Sequence, residues 1–154
     1  IAKGISPFQP EKVAFEAGRI MLNRIDELFK NQESFAFETT LATKSYKQRI
    51  EFAKKNNYYT SLLFFWLKTP ALAKERVKIR VKEGGHNIPL DVIERRYKNG
   101  IKNLFNIYLD IVDQAMIFDN SEGKHILIAE KNFGEDIIIH HFNKFNELKK
   151  YYDN

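Results

Sequence analysis

One stretch of the sequence restricts the fold more than any other. Residues 58–67, YYTSLLFFWL, form an almost continuous apolar run with polar segments on both sides. A run of this length and composition is typical of a strand, and its continuous apolar character indicates burial on both faces of a parallel sheet. We therefore predict that this strand is internal in the sheet and parallel to a strand at 35–40.

The rest of the chain alternates between helix and strand patterns. We predict helices at about 10–32, 44–56, 70–83, 90–111 and 141–152, and strands at 35–40, 58–67, 115–119 and 125–130. Strands separated by helices are typical of βαβ units, which form a mainly parallel sheet covered on both faces. The 154 residues contain no linker and no repeat. We therefore predict one α/β domain over 1–154, with three αβα layers.

Composition argues against several classes of protein. Cysteine is absent, which excludes a disulfide framework and a thiolate zinc site. No apolar run reaches the roughly 20 residues of a membrane helix, and the first ten residues lack the layout of a signal peptide, so we predict a cytoplasmic protein. The adjacent His140 and His141 would point to opposite faces of a strand, so we predict no metal site there.

The charge pattern bears on the class of partner. The net charge of +5 comes from 25 basic and 20 acidic residues that are interleaved along the chain. The sequence pI near 9.3 keeps a non-catalytic nucleic-acid-binding module as an alternative function. The interleaved acids and the lack of a basic, aromatic-rich stripe argue against it.

Polar residues follow the predicted strand at 35–40. Glu38, Thr39 and Thr40 come where FAFETT leaves the sheet. In α/β sheets, ligands bind beyond the carboxyl ends of the strands, so we predict that these three residues line a ligand cleft. Thr43 and Ser45 follow closely. A role in a turn or a helix cap is the alternative for Thr40, Thr43 and Ser45, and for Thr43 and Ser45 it is an equal alternative.

The predicted helix at 71–83 places two arginines on its apolar side. Arg76 and Arg80 fall within the arc of apolar residues, whereas Lys74, Lys78 and Lys82 fall on the opposite side. Guanidinium groups directed inward need anionic partners, and their geometry suits phosphate or carboxylate. The alternative is a structural pair of arginines whose stems pack while their heads bridge to acidic side chains.

A short glycine-containing segment connects this helix to the next. Gly84 and Gly85 tolerate positive φ and are expected to end the helix, and Pro89 is suited to open the following one. We predict a lid, a helical hairpin at about 71–97, with His86 at its tip. A simple helix–helix turn is the alternative. In the second helix of the hairpin, Arg96 borders the apolar side and is a further candidate.

Several segments together carry a resemblance to a known family. They are ISPFQPE, AFEAGR, FAFETTLAT, LLFFWL, ERVKIRVKEGGHNIP, ERRYKNGIKNLF and IFDNS. In this combination the chain resembles the zeta toxin family and its bacterial relatives that are predicted P-loop ATPases. The resemblance implies a P-loop kinase-like fold and transfer of phosphate from ATP to a hydroxyl of a small molecule. The family's characterised toxins phosphorylate the 3'-hydroxyl of uridine-diphosphate N-acetylglucosamine, and an antitoxin protein is an implied partner.

The resemblance also implies roles for individual residues. Glu38 and Thr40 match the family's substrate-binding acid and hydroxyl, with Thr39 beside them. Arg76 matches the phosphate-binding arginine of the lid helix. His86 falls near the family's second lid arginine, a role for which Arg80 or Arg96 is the alternative. We therefore name Arg76 and Arg80 as the candidates for catalysis.

One family motif is not in this sequence. A Walker loop, GxxxxGK followed by Ser or Thr, holds the phosphates of ATP, and none of the seven glycines stands in such a pattern. In the family this loop and the catalytic aspartate precede the segment that matches IAKGISP. We therefore expect the chain to be the C-terminal part of a kinase, without the N-terminal βαβ unit and inactive alone. ATP and Mg²⁺ would then be bound by the intact protein rather than tightly by this chain. A housekeeping kinase acting on another metabolite is the alternative to a toxin.

Overall fold

The structure is a computed structural model of the chain, and it describes residues 14–85 and 87–153. The described residues fall into two compact units. The first unit contains 14–38 and 80–85, and the second contains 39–79 and 87–153. The prediction of one domain over 1–154 stays a prediction.

The first unit contains helix α1, Ala14–Lys30. The helix ends through Gln32, whose φ of 57° is left-handed, and the amide of Glu33 donates to the carbonyl of Leu28 at 3.0 Å. After this turn Phe35 packs edge-to-face on Phe29, with 5.1 Å between ring centroids. The predicted strand at 35–40 is wrong, since these residues are in no strand of the described sheet. The part of the predicted helix before Ala14 lies outside the described residues.

Five further helices follow among the described residues. They are α2 Lys47–Lys55, α3 Pro70–Lys82, α4 Leu90–Asn103, α5 Leu109–Ile111 and α6 Phe142–Asp153, and a π-helical segment, Leu104–Tyr108, joins α4 to α5. The helices predicted at 44–56, 70–83, 90–111 and 141–152 are therefore confirmed. Gly84 ends α3 with a φ of 87°, as predicted, because glycine has no Cβ to oppose this conformation.

The second unit contains a four-stranded sheet. The strands are β1 Ser61–Trp66, β2 Gln114–Asp119, β3 Ile126–Asn132 and β4 Ile138–Ile139, in the order β1-β2-β3-β4. β1 is parallel to β2, whereas β2–β3 and β3–β4 are antiparallel pairs. The prediction of a mainly parallel sheet is wrong for the described residues. The connection at 120–125 is too short for the crossover that a parallel pair requires.

The position of β1 also differs from the prediction. β1 is an outer strand of the described sheet, not an internal one. Its side chains alternate between a more buried set and an exposed set, and Leu63 and Phe65 in the exposed set keep 51% and 48% of their accessible surface. The apolar run of the sequence is therefore a strand as predicted, but only one of its faces is packed.

The packed face of the sheet forms the core of the second unit. The largest fully buried side chains are Trp66, Ile101, Leu104, Tyr108, Ile117, Ile128, Leu148 and Asp119. They come from β1, β2, β3, α4, the π-helical segment and α6, and α6 packs against both α4 and β3. Seven of these eight side chains are hydrophobic or aromatic, and the exception, the carboxylate of Asp119, lies at the end of β2. Among the described residues, no helix is both long enough and apolar enough to cross a membrane.

Candidate functional site

The carboxyl ends of β1 and β2 lie at the same edge of the sheet because the two strands are parallel. Hydrogen bonds between the two segments continue past the ends of both strands. The amide of Asn120 donates to the carbonyl of Trp66 at 2.8 Å, and the amide of Lys68 donates to Oγ of Ser121 at 2.9 Å. The polar turn that follows β2 is therefore fixed against the exit of β1.

Asp119 organises this turn. Its side chain is 2% exposed and accepts hydrogen bonds from the amide of Ser121 at 2.9 Å, from Oγ of Ser121, and from Nζ of Lys144 on α6. Burial alone would raise the pKa of Asp119, but the hydrogen bonds from Lys144 and Ser121 outweigh it and lower the pKa below its usual value. The carboxylate of Asp119 is therefore ionised, and its hydrogen bonds hold the turn in place.

The predicted lid helix α3 reaches the same turn through Arg76. Its Nη2 donates a hydrogen bond to the main-chain carbonyl of Asn120, and its side chain is half-buried. The prediction that Arg76 is directed inward is confirmed. Arg80, one turn later, is exposed and belongs to the first unit, so the prediction that it is directed inward is wrong. α3 has no buried residue, so the sequence pattern overstated its apolar side.

Three contacts hold α4 against this edge of the sheet and against α3. Nε1 of Trp66 donates to the hydroxyl of Tyr97 at 3.0 Å, and that hydroxyl donates to the carbonyl of Leu67 at 2.6 Å. Burial raises the pKa of Tyr97, so the hydroxyl keeps its proton and remains a donor. Lys74 of α3 pairs with Glu94 of α4 at 2.7 Å, and the side chain of Lys74 is 27% exposed.

The predicted substrate loop contacts a different part of α4. Three main-chain carbonyls of the segment 39–43 face α4 and the π-helical segment. Nδ2 of Asn103 donates to the carbonyl of Leu41 at 2.7 Å, and the hydroxyl of Tyr108 donates to the carbonyl of Thr43 at 2.7 Å. A Cβ built on Gly100 would lie 2.5 Å from the carbonyl oxygen of Thr40. Only a glycine at position 100 allows this approach.

Threonine hydroxyls of the same segment accept hydrogen bonds from nearby amides or belong to exposed residues. The amide of Leu41 donates to Oγ1 of Thr39 at 3.2 Å, and the amide of Ser45 donates to Oγ1 of Thr43 at 3.2 Å. The turn interpretation of Thr43 and Ser45 is therefore confirmed. Thr40 is exposed.

The predicted site residues are divided between the two units. Glu38 is exposed and belongs to the first unit, whereas Thr39, Thr40 and Arg76 belong to the second. Arg96 is also in the second unit and is exposed on α4. His86 lies outside the described residues. In the part of the chain that the structure describes, no group of histidine and acidic side chains is arranged to hold a metal ion.

Sequence reasoning missed the residues that hold the loop and the turn. Asn103 and Gly100 interrupt the apolar side of α4, and a buried amide at 6% exposure needs a partner. A glycine and an asparagine on an otherwise apolar helix side were therefore the sequence signal for a contact with another segment. Lys144 gave no signal, because a lysine in a helix does not by itself indicate which carboxylate it pairs with.

Comparison with known proteins agrees with the resemblance in the sequence. The family model described as Zeta toxin matches residues 9–132, which is more than half of the chain. An uncharacterised protein of Haemophilus influenzae is 34% identical over 97 residues, which cover 63% of this chain and 69% of that protein. No solved structure gave a significant match. The chain therefore belongs to the zeta toxin family.

Proposed function

We propose that this chain forms the acceptor-binding and lid part of a P-loop kinase that transfers a phosphoryl group from ATP to a hydroxyl of a small molecule. One observation carries the proposal beyond family membership. Arg76 of the lid helix contacts the turn that follows β2, at the carboxyl ends of the parallel pair β1–β2. Ligands of α/β sheets bind beyond this edge, which supports a role for Arg76 as a cation that contacts phosphate.

The hydrogen bonding of Arg76 leaves capacity for a ligand. A guanidinium has five N–H donors in a fixed planar arrangement, and the described contact with Asn120 uses one of them. The contact sets the direction of the side chain in advance, which reduces the entropy lost when it binds an anion. Within the proposal, Arg76 neutralises charge on the transferred phosphoryl group. Arg80, exposed on the same helix, is the second cation.

The proposed acceptor side consists of Glu38, Thr39 and Thr40. A carboxylate accepts hydrogen bonds from the hydroxyls of a sugar, and a threonine hydroxyl both donates and accepts. Arg96 and His86 are the remaining candidates for contact with the substrate. Uridine-diphosphate N-acetylglucosamine is the first acceptor to test, and an antitoxin protein is the proposed macromolecular partner.

The ATP side of the reaction is not built by these residues. None of the seven glycines stands in a GxxxxGK[ST] pattern. Gly123 and Gly134 lie in turns with φ of 75° and 76°, while Gly18 and Gly100 lie within helices. We therefore propose the reaction for a protein that carries a Walker loop together with this chain, and we propose that the 154 residues alone are inactive. Mg²⁺ would enter with ATP.

The decisive variant is Arg76→Ala in the full-length protein. We expect it to lower kcat by about 10³, because an arginine that contacts a transferring phosphoryl group meets charge that spreads in the transition state. KM for the acceptor should change little. Steady-state kinetics with ATP, Mg²⁺ and uridine-diphosphate N-acetylglucosamine measure both constants.

Lys78→Ala is the matched control, since Lys78 is an exposed cation on the same helix. Glu38→Gln should chiefly raise KM for the acceptor. Near-normal turnover of Arg76→Ala, together with a lower melting temperature, would make the contact with Asn120 purely structural and would remove the lid assignment. Turnover on another hydroxyl-bearing metabolite but not on the nucleotide sugar would favour the housekeeping kinase.

A further inference from the structure

We infer that Gly100, Asn103 and Tyr108 position the segment 39–43 for binding of the acceptor. We call this segment the acceptor loop and the three residues the clamp. The inference rests on the proposed function and adds positioning residues to it. None of the clamp residues needs to touch the substrate, because each acts on the main chain of the loop.

The clamp meets the acceptor loop at successive points. Gly100 admits the carbonyl of Thr40, Asn103 donates to that of Leu41, and Tyr108 donates to that of Thr43. Main-chain contacts at three positions fix the path of a loop more strictly than one contact would. They also turn the carbonyls toward α4 and leave the hydroxyl of Thr40 exposed.

Burial strengthens two of these contacts. Asn103 is 6% exposed and Tyr108 is fully buried, so water does not compete for their donors. Burial also raises the pKa of Tyr108, which keeps the phenol protonated as a donor. A carbonyl of the loop that lost its donor here would be left unpaired beside buried groups, and that is unfavourable.

The π-helical segment aligns the clamp. In a continuous α-helix, a residue five positions after Asn103 would point well away from it, since successive residues turn by about 100°. Between Leu104 and Tyr108 the helix is wider, and the amide of Leu109 donates to the carbonyl of Leu104 in an i→i+5 bond. This extra residue in the turn brings Tyr108 back to the side of Gly100 and Asn103.

The acceptor loop has a conformation that requires such support. Leu41 has a φ of 54°, which is left-handed and unfavourable for a residue with a branched side chain. Its side chain is 3% exposed, and its amide and carbonyl are both hydrogen-bonded. A strained loop that is fixed on both sides of one residue has the rigidity that a binding site needs.

The test compares clamp variants with matched controls in the full-length protein. Asn103→Asp removes the amide donor with little change of shape, Tyr108→Phe removes one hydroxyl, and Gly100→Ala adds a methyl group against Thr40. Tyr152→Phe is the control for Tyr108, because the Tyr152 hydroxyl bonds Asn106 of the π-helical segment and not the loop. Gly18→Ala is the control for Gly100, because a Cβ there meets nothing within 4 Å.

The readouts separate positioning from general stability. We expect Asn103→Asp and Gly100→Ala to raise KM and the Kd for uridine-diphosphate N-acetylglucosamine by about tenfold, and Tyr108→Phe by about threefold, with kcat nearly unchanged. Hydrogen exchange at the amides of Leu41 and Ser45 should speed up in the same order. Arg76→Ala should show the opposite division, with a large loss of kcat and little change in KM.

The outcomes distinguish the inference from the proposed function. Faster exchange in the clamp variants with unchanged acceptor affinity would make the clamp a structural feature only and would overturn the inference. Unchanged exchange would overturn it as well. If the wild-type protein neither binds nor phosphorylates the acceptor or any other hydroxyl compound, the proposed function fails, and the inference fails with it.

Discussion

The two ends of the parallel pair β1–β2 carry the same chemistry with different consequences. At the amino end, Asp113 accepts from the amide and the hydroxyl of Thr60, both at 2.8 Å, and pairs with Lys54 at 3.1 Å. At the carboxyl end, Asp119 accepts from the amide and the hydroxyl of Ser121 and pairs with Lys144. Each site is an aspartate with a hydroxyl residue and a lysine.

The difference lies in what each aspartate connects. Asp113 joins the start of β2 to Thr60, the residue before β1, across 53 positions in sequence. Asp119 instead folds the turn directly after its own strand, and the carbonyl of that turn holds Arg76. An aspartate–hydroxyl–lysine group is therefore not a functional site in itself. Its position at the carboxyl end of the parallel strands gives the second one its candidate role.

The largest effect on stability should come from removing Asp119. Asp119→Ala leaves Lys144 and the hydroxyl of Ser121 without their shared acceptor in a buried site, and we expect a loss of about 3 kcal/mol in the free energy of unfolding. Asp113→Ala should cost about 1–2 kcal/mol, because the Asp113 side chain is 18% exposed and solvent replaces part of what is lost. Urea denaturation measures both. Equal losses would show that the two ends differ only in position.

Low pH should reduce the stabilisation that the aspartates provide at both ends of the β1–β2 pair. Hydrogen bonds and the nearby lysines outweigh burial and lower the pKa of Asp113 and of Asp119 in the folded chain. Carboxylates with lowered pKa stabilise the fold fully above about pH 5. This stabilisation is lost as the pH falls through the ordinary value of about 3.9 and then through the lower folded values.

Melting temperature measured from pH 6 to pH 2 therefore should fall in acid, and the fall should be shallower in Asp113→Asn and Asp119→Asn. Glu38→Gln serves as the control, because Glu38 is exposed. If the melting temperature of both asparagine variants fell in acid as steeply as that of the wild type, these two carboxylates would not be the groups that stabilise the fold above about pH 5.

The smallest effect should come from Lys68→Ala. The Nζ of Lys68 pairs with Glu122 at 2.8 Å on the surface, and this hydrogen bond raises the pKa of Lys68. Surface pairs contribute little to stability because solvent screens them. The amide of Lys68, which donates to Ser121, remains in the variant. We expect an unchanged denaturation midpoint, and a clear decrease would mean that the side chain, not the main chain, fixes the turn.

The sequence predicted the individual helices and strands better than it predicted which strands pair and in which direction. Helices α2, α3, α4 and α6 and strands β1, β2 and β3 follow local periodicity, which single segments carry. The outer position of β1 and the antiparallel pairing after β2 depend on what lies beside each strand. The short connection at 120–125 was the one local signal for antiparallel pairing. The family resemblance was confirmed because several motifs agreed along most of the chain.

The candidate site was predicted in part. The inward direction of Arg76 followed from the helical pattern, but Arg80 and Arg96 are exposed. Hydrogen bonds to main-chain carbonyls, such as those from Arg76 and Asn103, leave no partner side chain to recognise in the sequence. The roles of Glu38, Thr39, Thr40, Arg76, Arg80, Arg96 and His86 stay predictions until the kinetic tests are made.

The π-helical segment also bears on how this chain tolerates insertions and deletions. A wide turn holds one residue more than an α-helical turn, so deletion of one residue between 104 and 108 would leave a regular helix. Local helical hydrogen bonding would be restored. Later side chains would keep their directions relative to α4, because the wide turn already places Tyr108 near the direction that the fourth residue after Asn103 has in a regular helix. The acceptor loop should therefore tolerate a one-residue deletion in this turn better than a deletion in the regular part of α4, which would rotate every later side chain by about 100°.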